Sequence, residues 1–180
     1  MGVRNYLIEG VSGSGKTSVA EELQRRGYQV VHGDRALAYK GDPVTGKPLG
    51  DSVEVQGAAS VAFSHKHHLW DVEKVRALTL DTRHPMTFFC GGSRNFHQFV
   101  HLFDGVFVLE VDLDTLMRRL AKRPPDEFGG VPAERALIAR LHATKEDLPP
   151  NAMTIDATAA LVSVVDAILL ACGGVEGGHP

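Results

Sequence analysis

The sequence of 180 residues has few cysteines, a single tryptophan and no long apolar run. Its two cysteines, Cys90 and Cys172, lie far apart and lack C-x-x-C spacing, so neither a zinc site nor a disulfide framework is indicated. No stretch reaches the roughly 20 apolar residues of a membrane span, and no signal-type apolar region precedes the first predicted strand. We therefore expect a cytoplasmic protein with no membrane partner.

Neither sign of charge is in large excess, because the formal net charge is only -3. Lysine and arginine are scattered along the chain, which argues against nucleic acid as the main partner. The length fits one domain, predicted over residues 1–172, followed by a flexible tail at 173–180. The expected assembly is a monomer or a homodimer.

The most specific feature present is the motif Gly-Val-Ser-Gly-Ser-Gly-Lys-Thr at residues 10–17. It matches the phosphate-loop pattern G-x-x-x-x-G-K-[ST], in which backbone N–H groups and a helix N-terminus hold phosphate oxygens. Lys16 is expected to reach the β- and γ-phosphates, and the Thr17 hydroxyl to bind Mg²⁺. The predicted ATP-binding residues of this segment are Gly10, Ser12, Gly13, Ser14, Gly15, Lys16, Thr17 and Ser18.

Short apolar runs alternate with amphipathic stretches, which is typical of an α/β protein with a parallel sheet. Strands are predicted at residues 5–9, 28–32, 86–90, 106–111 and 152–155. Helices are predicted at residues 16–26, 71–80, 114–122, 133–145 and 160–172. Residues 40–70, rich in Gly, Pro and His, are predicted to form a partly irregular insertion beside the site.

Five motifs, in this order, resemble the small phosphate-loop kinases of the nucleoside-monophosphate kinase, shikimate kinase and gluconate kinase group. They are the phosphate loop, His-Gly-Asp-Arg at 32–35, the segment 90–98, the predicted strand and helix at 106–123, and Ile-Asp-Ala-Thr at 155–158. The whole chain also looks like bacterial proteins described as nucleoside kinases or as shikimate-kinase-like. The resemblance implies a P-loop NTPase fold whose five-stranded parallel sheet carries helices on both faces, with a small lid and a substrate-binding insertion.

The resemblance implies a lid at about residues 119–134 and an acceptor side at about 34–80. Arg119 and Arg123, predicted one turn apart on a helix, are candidates to face the migrating phosphate; the alternative is a solvated helix face. Prolines and paired glycines at 124–130 favour a mobile lid. Asp156, by resemblance, lies near the adenine.

Asp34 follows a predicted strand at the sheet edge where open α/β sheets bind ligands, so it is the candidate to bind and deprotonate an acceptor hydroxyl. The alternative is a turn aspartate beside Gly33. Arg94 is a candidate to bind an anionic or polyhydroxy acceptor, or is a surface arginine. The predicted catalytic residues are therefore Lys16, Asp34, Arg119 and Arg123, and the predicted acceptor-binding residues are Asp34, Arg35, Trp70, Arg94 and Gln98.

His65, His67 and His68, followed by Trp70, form an unusual cluster. One interpretation is a metal site, although the spacing matches no known zinc motif. A second is a substrate-pocket wall in which Trp70 stacks on a base or a sugar. A third is a polar flap anchored by a buried tryptophan.

Taken together, the residues predict an ATP-dependent kinase that uses Mg²⁺ and transfers the γ-phosphate to a small acceptor, a nucleoside or nucleotide first. A sugar-acid kinase is the alternative, because Cys90 and the segment 46–51 resemble gluconate kinases. Two other classes stay open: a regulatory nucleotide-binding protein, and a pseudoenzyme. Cys90, which stands where adenylate kinases keep a metal-side aspartate, is the argument for the pseudoenzyme.

Overall fold

The computed structural model describes residues 3–50 and 58–173. Its strands are β1 (Arg4–Glu9), β2 (Gln29–His32), β3 (Ala38–Lys40), β4 (His68–Trp70), β5 (Met86–Cys90), β6 (Gly105–Glu110) and β7 (Met153–Asp156). Five of them form one sheet in the order β2-β5-β1-β6-β7, and every neighbouring pair is parallel. The predicted five-stranded parallel sheet is therefore confirmed.

The helices are α1 (Lys16–Arg25), α2 (Gly33–Ala36), α3 (Ala58–Lys66), α4 (Val72–Thr79), α5 (Leu113–Leu120), α6 (Pro132–Thr144) and α7 (Leu161–Gly173). Asp71 and Asp112 begin α4 and α5, because each carboxylate accepts the backbone N–H three residues on. None of the described helices is long and apolar enough to cross a membrane.

Helices cover both faces of the sheet, as predicted. Successive residues of a strand point to opposite faces, so Tyr6 and Ile8 join one apolar cluster and Leu7 joins the other. The first cluster includes buried residues of α1, α5, α6 and α7, and the second includes Val75 of α4 and the buried Trp70. The central strand β1 thus ends between two packed layers, where the phosphate loop begins.

Two details differ from the sequence prediction. Helix α5 ends at Leu120, and the chain turns before Arg123, so Arg119 and Arg123 do not share a helix. The predicted irregular insertion at 40–70 contains a regular helix, α3, and the strand β4, which pairs antiparallel with β3. Residues 51–57 and the predicted tail at 174–180 lie outside the described part of the chain.

Candidate active site

The phosphate loop runs from the end of β1 to the start of α1, and its glycines are required by its shape. Gly13 and Gly15 have φ values of 91° and 108°, in the left-handed region that favours glycine. A Cβ atom on Gly13 would also lie 2.8 Å from a methyl carbon of Leu116. The loop is therefore held closely against α5 from behind.

Lys16 folds over this loop and donates hydrogen bonds to the carbonyl oxygens of Gly10 and Val11. Burial lowers the pKa of its ammonium group, while the nearby carboxylates of Asp34 and Glu9 act in the opposite direction. The lysine is thus positioned on the loop, with two acidic side chains close enough to affect its charge.

A cleft of about 630 Å³ opens along the loop and α1. Arg119 reaches it from α5 and donates to the carbonyls of Ser14 (3.1 Å) and Ala157 (2.8 Å), which links the loop to the turn after β7. Arg123 donates to the Ser12 hydroxyl at 2.8 Å. The phosphate loop, the first turn of α1 and the two arginines all line the cleft. Their lining residues are Ser12, Gly13, Ser14, Gly15, Lys16, Thr17, Ser18, Arg119 and Arg123.

Asp156 does not line this cleft, although it was predicted to bind ATP. Its carboxylate accepts a hydrogen bond from the backbone N–H of Thr158 at 2.9 Å and stabilises the turn after β7. The neighbouring Ala157 lines the cleft instead. The turn after β7 therefore reaches the cleft through Ala157 and not through the side chain of Asp156.

A second cavity, of about 400 Å³, lies beside the first. Ser12, Lys16, Asp34 and Phe128 line both of them. Lys40, His65, His68, Arg94 and Asp147 supply further charged or polar groups to the second cavity, and Ile138, Leu141 and Leu148 supply apolar ones. We call it the acceptor cavity, and the first one the nucleotide cleft.

Asp34 lies where the two cavities meet, at the start of α2 directly after β2. His68 Nε2 lies 3.1 Å from its carboxylate, and the backbone N–H of Gly92 lies 3.3 Å from it. Burial opposes ionisation of Asp34, but the hydrogen bond from His68 and the charge of Lys16 outweigh it, so its pKa lies below the ordinary value. The carboxylate is therefore ionised and faces both cavities.

Arg94 also lines the acceptor cavity, where its guanidinium forms an ion pair with Asp147. Arg94 Nη1 lies 2.7 Å from Asp147 Oδ2, and the same oxygen contacts His65 Nε2. Burial opposes ionisation of Asp147, but the hydrogen bond from His65 and the charge of Arg94 outweigh it, which lowers its pKa. This cluster connects α3, the loop after β5 and the turn after α6.

The other predicted acceptor-binding residues lie elsewhere. Trp70 is 0% exposed and stacks on Phe99, with ring centroids 5.6 Å apart, so it has no free face for a ligand and that prediction is wrong. The third interpretation of the cluster, a buried tryptophan anchor, is the one that fits. Gln98 lies on a 3-10 turn and lines neither cavity. Arg35 lines a small cavity of about 40 Å³ with Thr17 and Asp34.

The three neighbouring histidines have three different partners. His65 contacts Asp147, His67 contacts the carbonyl oxygen of Gly41, and His68 contacts Asp34. Within residues 3–50 and 58–173, no group of three or more histidine, cysteine, aspartate and glutamate side chains is arranged to hold a metal ion. A zinc site built from these histidines does not fit this arrangement.

Magnesium, by contrast, fits the small cavity of Thr17 and Asp34, because hydroxyl and carboxylate oxygens are the ligands it prefers. Cys90 lines the same cavity, but burial raises the pKa of its thiol to about 12. That thiol is neutral, so the carboxylate on this side of the site is supplied by Asp34 of α2 and not by the end of β5.

Glu9 is a site residue that sequence reasoning missed. It is the last residue of β1, it is 1% exposed, and its Oε2 has no hydrogen-bond partner within the described residues. Burial raises the pKa of Glu9 to about 7, although the charges of Arg94 and Lys16 lower it. The signal in the sequence was an acidic residue directly after the apolar run at residues 6–8 of the central strand.

Lys40 and Asp147 were also missed, because neither belongs to a recognisable motif. The Lys40 ammonium donates to the Ser64 hydroxyl at 2.8 Å, which ties β3 to α3. Asp147 lies in a turn far along the chain from Arg94, and only the fold brings the two together.

A family model described as an AAA domain matches residues 7–135. No curated protein sequence matches the chain.

Solved structures match over nearly the whole chain. A shikimate kinase from Acinetobacter baumannii, solved with shikimate, is 16% identical and covers 98% of this chain and 96% of its own, with a TM-score of 0.63. A gluconokinase from Sinorhizobium meliloti 1021 is 19% identical, covers 97% and 98%, and has a TM-score of 0.53. A sugar kinase from Janibacter sp. HTCC2649 is 20% identical, covers 93% of each chain, and has a TM-score of 0.51. At such identities the likeness is one of fold.

Proposed function

Since the chain belongs to the AAA domain family and carries its phosphate loop within the matched segment, we propose that it is an ATP-dependent kinase for a small acceptor molecule. The observation that carries this proposal is the junction of two cavities. The nucleotide cleft and the acceptor cavity share Lys16 and Asp34, so a phosphate in one and a hydroxyl in the other would meet there. A regulatory nucleotide-binding protein has no need of the second cavity.

Phosphoryl transfer depends mainly on positioning and on neutralising charge. The backbone N–H groups of the loop bind the phosphates, and Lys16 moves from its carbonyl partners to the phosphate oxygens. Arg123, held at Ser12, is placed to contact the migrating group, while Arg119 fixes the loop to the turn after β7. Thr17 would hold Mg²⁺ through its hydroxyl, and the ion would supply further neutralisation of phosphate charge.

Asp34 orients the acceptor hydroxyl and accepts its proton as the oxygen attacks the γ-phosphorus, and the bond from that phosphorus to the β–γ bridging oxygen breaks to release ADP. Its low pKa matches this role in orientation, because the carboxylate is ionised before the acceptor arrives. His68, at 3.1 Å, holds the carboxylate in place and stabilises its negative charge.

The lining of the acceptor cavity favours a small hydroxy acid over a nucleoside. Arg94 and Lys40 supply positive charge for a carboxylate, and Trp70, which would have stacked on a base, is buried. The neighbours titled gluconokinase and shikimate kinase support the same class. A nucleoside is the second candidate, because the ring of Phe128 is partly exposed at the cavity and can stack on a base.

The proposal includes the boundaries given above: a kinase domain over 1–172, a lid at about 119–134 and an acceptor-side region at about 34–80. Phe128 supports the lid assignment, because it lines both cavities and its ring lies parallel to that of His65, with centroids 6.5 Å apart. A cytoplasmic, reducing location agrees with the two free, buried cysteines. A monomer or a homodimer remains the proposed assembly.

The test is ADP release from MgATP across a panel of gluconate, shikimate, related sugar acids, nucleosides and nucleoside monophosphates. We expect release that depends on a hydroxy acid and that is abolished by Lys16→Ala. Lys74→Ala is the matched control, because Lys74 is exposed on α4, lines neither cavity and pairs with its neighbour Asp71. ADP release that depends on a nucleoside would support the kinase assignment and change the proposed acceptor class.

ATP binding without acceptor-dependent release for any compound would favour the regulatory or pseudoenzyme alternative. Release that persists in Lys16→Ala would contradict the assignment of the phosphate loop as the reacting site.

A further inference from the structure

Arg94, one of the positive groups of the acceptor cavity, already forms an ion pair within the protein itself. Arg94 Nη1 lies 2.7 Å from Asp147 Oδ2, and His65 contacts the same oxygen. A carboxylate held by a guanidinium and an imidazole is the arrangement expected for an anionic ligand. Here the carboxylate belongs to the chain.

The two partners differ in burial. Arg94 is anchored through its backbone N–H, which donates to the His68 carbonyl at 2.9 Å, and its side chain is only 13% exposed. Asp147 lies, like Arg94, in a turn outside any helix or strand, and its side chain is 23% exposed. The aspartate is therefore the more exposed of the two partners.

Arg94 also has binding capacity to spare. Its Nε is buried and has no partner within the described residues, although Asp147 occupies Nη1. A guanidinium binds a carboxylate best through two parallel N–H groups. The ion pair with Asp147 uses only Nη1, so an anion that also bound Nε would make a hydrogen bond that Asp147 does not make.

We propose that Asp147 is a specificity-determining residue that occupies the anion-binding group of the acceptor cavity, and that an acidic acceptor must displace it from Arg94 and His65. This inference rests on the proposed function and adds that the Asp147 carboxylate competes with the acceptor for Arg94. A neutral acceptor leaves the Arg94–Asp147 pair intact and gains nothing from the arginine. An acceptor with a carboxylate replaces the pair, and its affinity is reduced by the free energy of the contact it breaks.

The test measures binding of malonate, a simple dicarboxylate, to the full chain without nucleotide. The Arg94 Nε–H signal is followed by nuclear magnetic resonance during the titration. Asp147→Asn removes the competing charge at nearly constant shape, and we expect it to bind malonate about ten-fold more tightly than the wild type, equivalent to about 1.4 kcal/mol. Arg94→Met is expected to abolish binding.

Two controls separate this effect from a general change of charge. Glu146→Gln removes the same charge one residue away, where the side chain pairs with Arg140 at 3.3 Å, and it is expected to leave malonate binding unchanged. Asp147→Glu keeps the carboxylate and is expected to bind no more tightly than the wild type.

Equal or weaker malonate binding by Asp147→Asn would overturn the proposal, because it would show that Asp147 positions Arg94 for the ligand. Binding to neither the wild type nor Asp147→Asn would overturn it as well, since no anion group would be available. These outcomes do not depend on turnover, so a failure of the kinase assay alone would contradict only the proposed function.

Discussion

Glu9 shows how one buried carboxylate makes stability depend on pH. Its pKa of about 7 lies above the ordinary value of 4.5, so the folded state binds a proton that the unfolded state has lost between those pH values. The free energy of unfolding therefore falls as pH rises through this window. The loss is up to about 3 kcal/mol, since each pKa unit corresponds to about 1.4 kcal/mol.

We expect Glu9→Gln to remove this contribution. Urea unfolding of wild type and variant at pH 5 and pH 8 gives the comparison, and the variant should gain stability relative to the wild type at pH 8. Glu21→Gln, on the exposed side of α1, is the matched control and should show no such change. A constant difference between wild type and Glu9→Gln at both pH values would contradict the assignment.

At the level of residues, the sequence predicts candidate site residues that belong to local motifs. It does not predict those whose role depends on contacts made across the fold. Thr17 and Arg94 were singled out from local patterns, and they line the nucleotide cleft and the acceptor cavity respectively. For Trp70 the sequence left three interpretations open, and only the fold, in which the ring is buried against Phe99, selects the buried anchor. Asp147 gives no local sign of its role, because that role depends on a contact across the fold.

Among the elements, the segment after α5 has a proposed role in the chemical step that can be tested separately from nucleotide binding. Arg123 bonds to Ser12 of the phosphate loop and to the carbonyl oxygen of Phe128, so it connects the loop to the proposed lid. We expect Arg123→Ala to lower kcat by about 100-fold, because it removes one preorganised charge from the transition state. The Kd for ATP should change by less than about three-fold, since the backbone cradle remains.

Steady-state kinetics and ATP titration separate the two quantities. Arg118→Ala is the matched control, because Arg118 is exposed on α5, lines neither cavity and donates a hydrogen bond to Thr115 of its own helix. Equal losses in kcat and in ATP affinity for Arg123→Ala would show that the arginine serves binding alone.

The core elements were predictable because each has a strong local pattern. Strand β5 has the predicted bounds, and α7 lies within one residue of its prediction. Helix α3 was missed because it packs against α6, a tertiary contact that the local sequence does not reveal. The end of α5 was predicted two residues too late. The first helix-breaking prolines in the sequence are at 124–125, but the chain leaves the helix before it reaches them.

For the whole molecule, the nucleotide cleft joins parts of the chain that are distant in sequence. The phosphate loop, Arg119 and the turn after β7 all line it. A ligand that binds only the folded state at about 100 times its Kd adds about 2.7 kcal/mol of stability. For a chain of this size we expect MgATP to raise the Tm by roughly 5–10 °C.

Differential scanning calorimetry of wild type and Lys16→Ala with and without MgATP checks this expectation. The variant should keep the Tm of the ligand-free wild type and lose the ligand-induced rise. An equal rise in both proteins would mean that ATP binds outside the phosphate loop.

The two cavities are lined by largely different segments of the chain, and this affects how such a protein can diverge in evolution. Most acidic and basic groups of the acceptor cavity come from the segment between β2 and α4 and from the turn after α6, while the glycines and Thr17 of the nucleotide cleft come from the β1–α1 connection. Except at the shared Asp34, mutations in the first set can alter the choice of acceptor without disturbing the phosphate cradle. Selection can therefore recruit this scaffold for new metabolites while the chemistry at the phosphate is inherited unchanged.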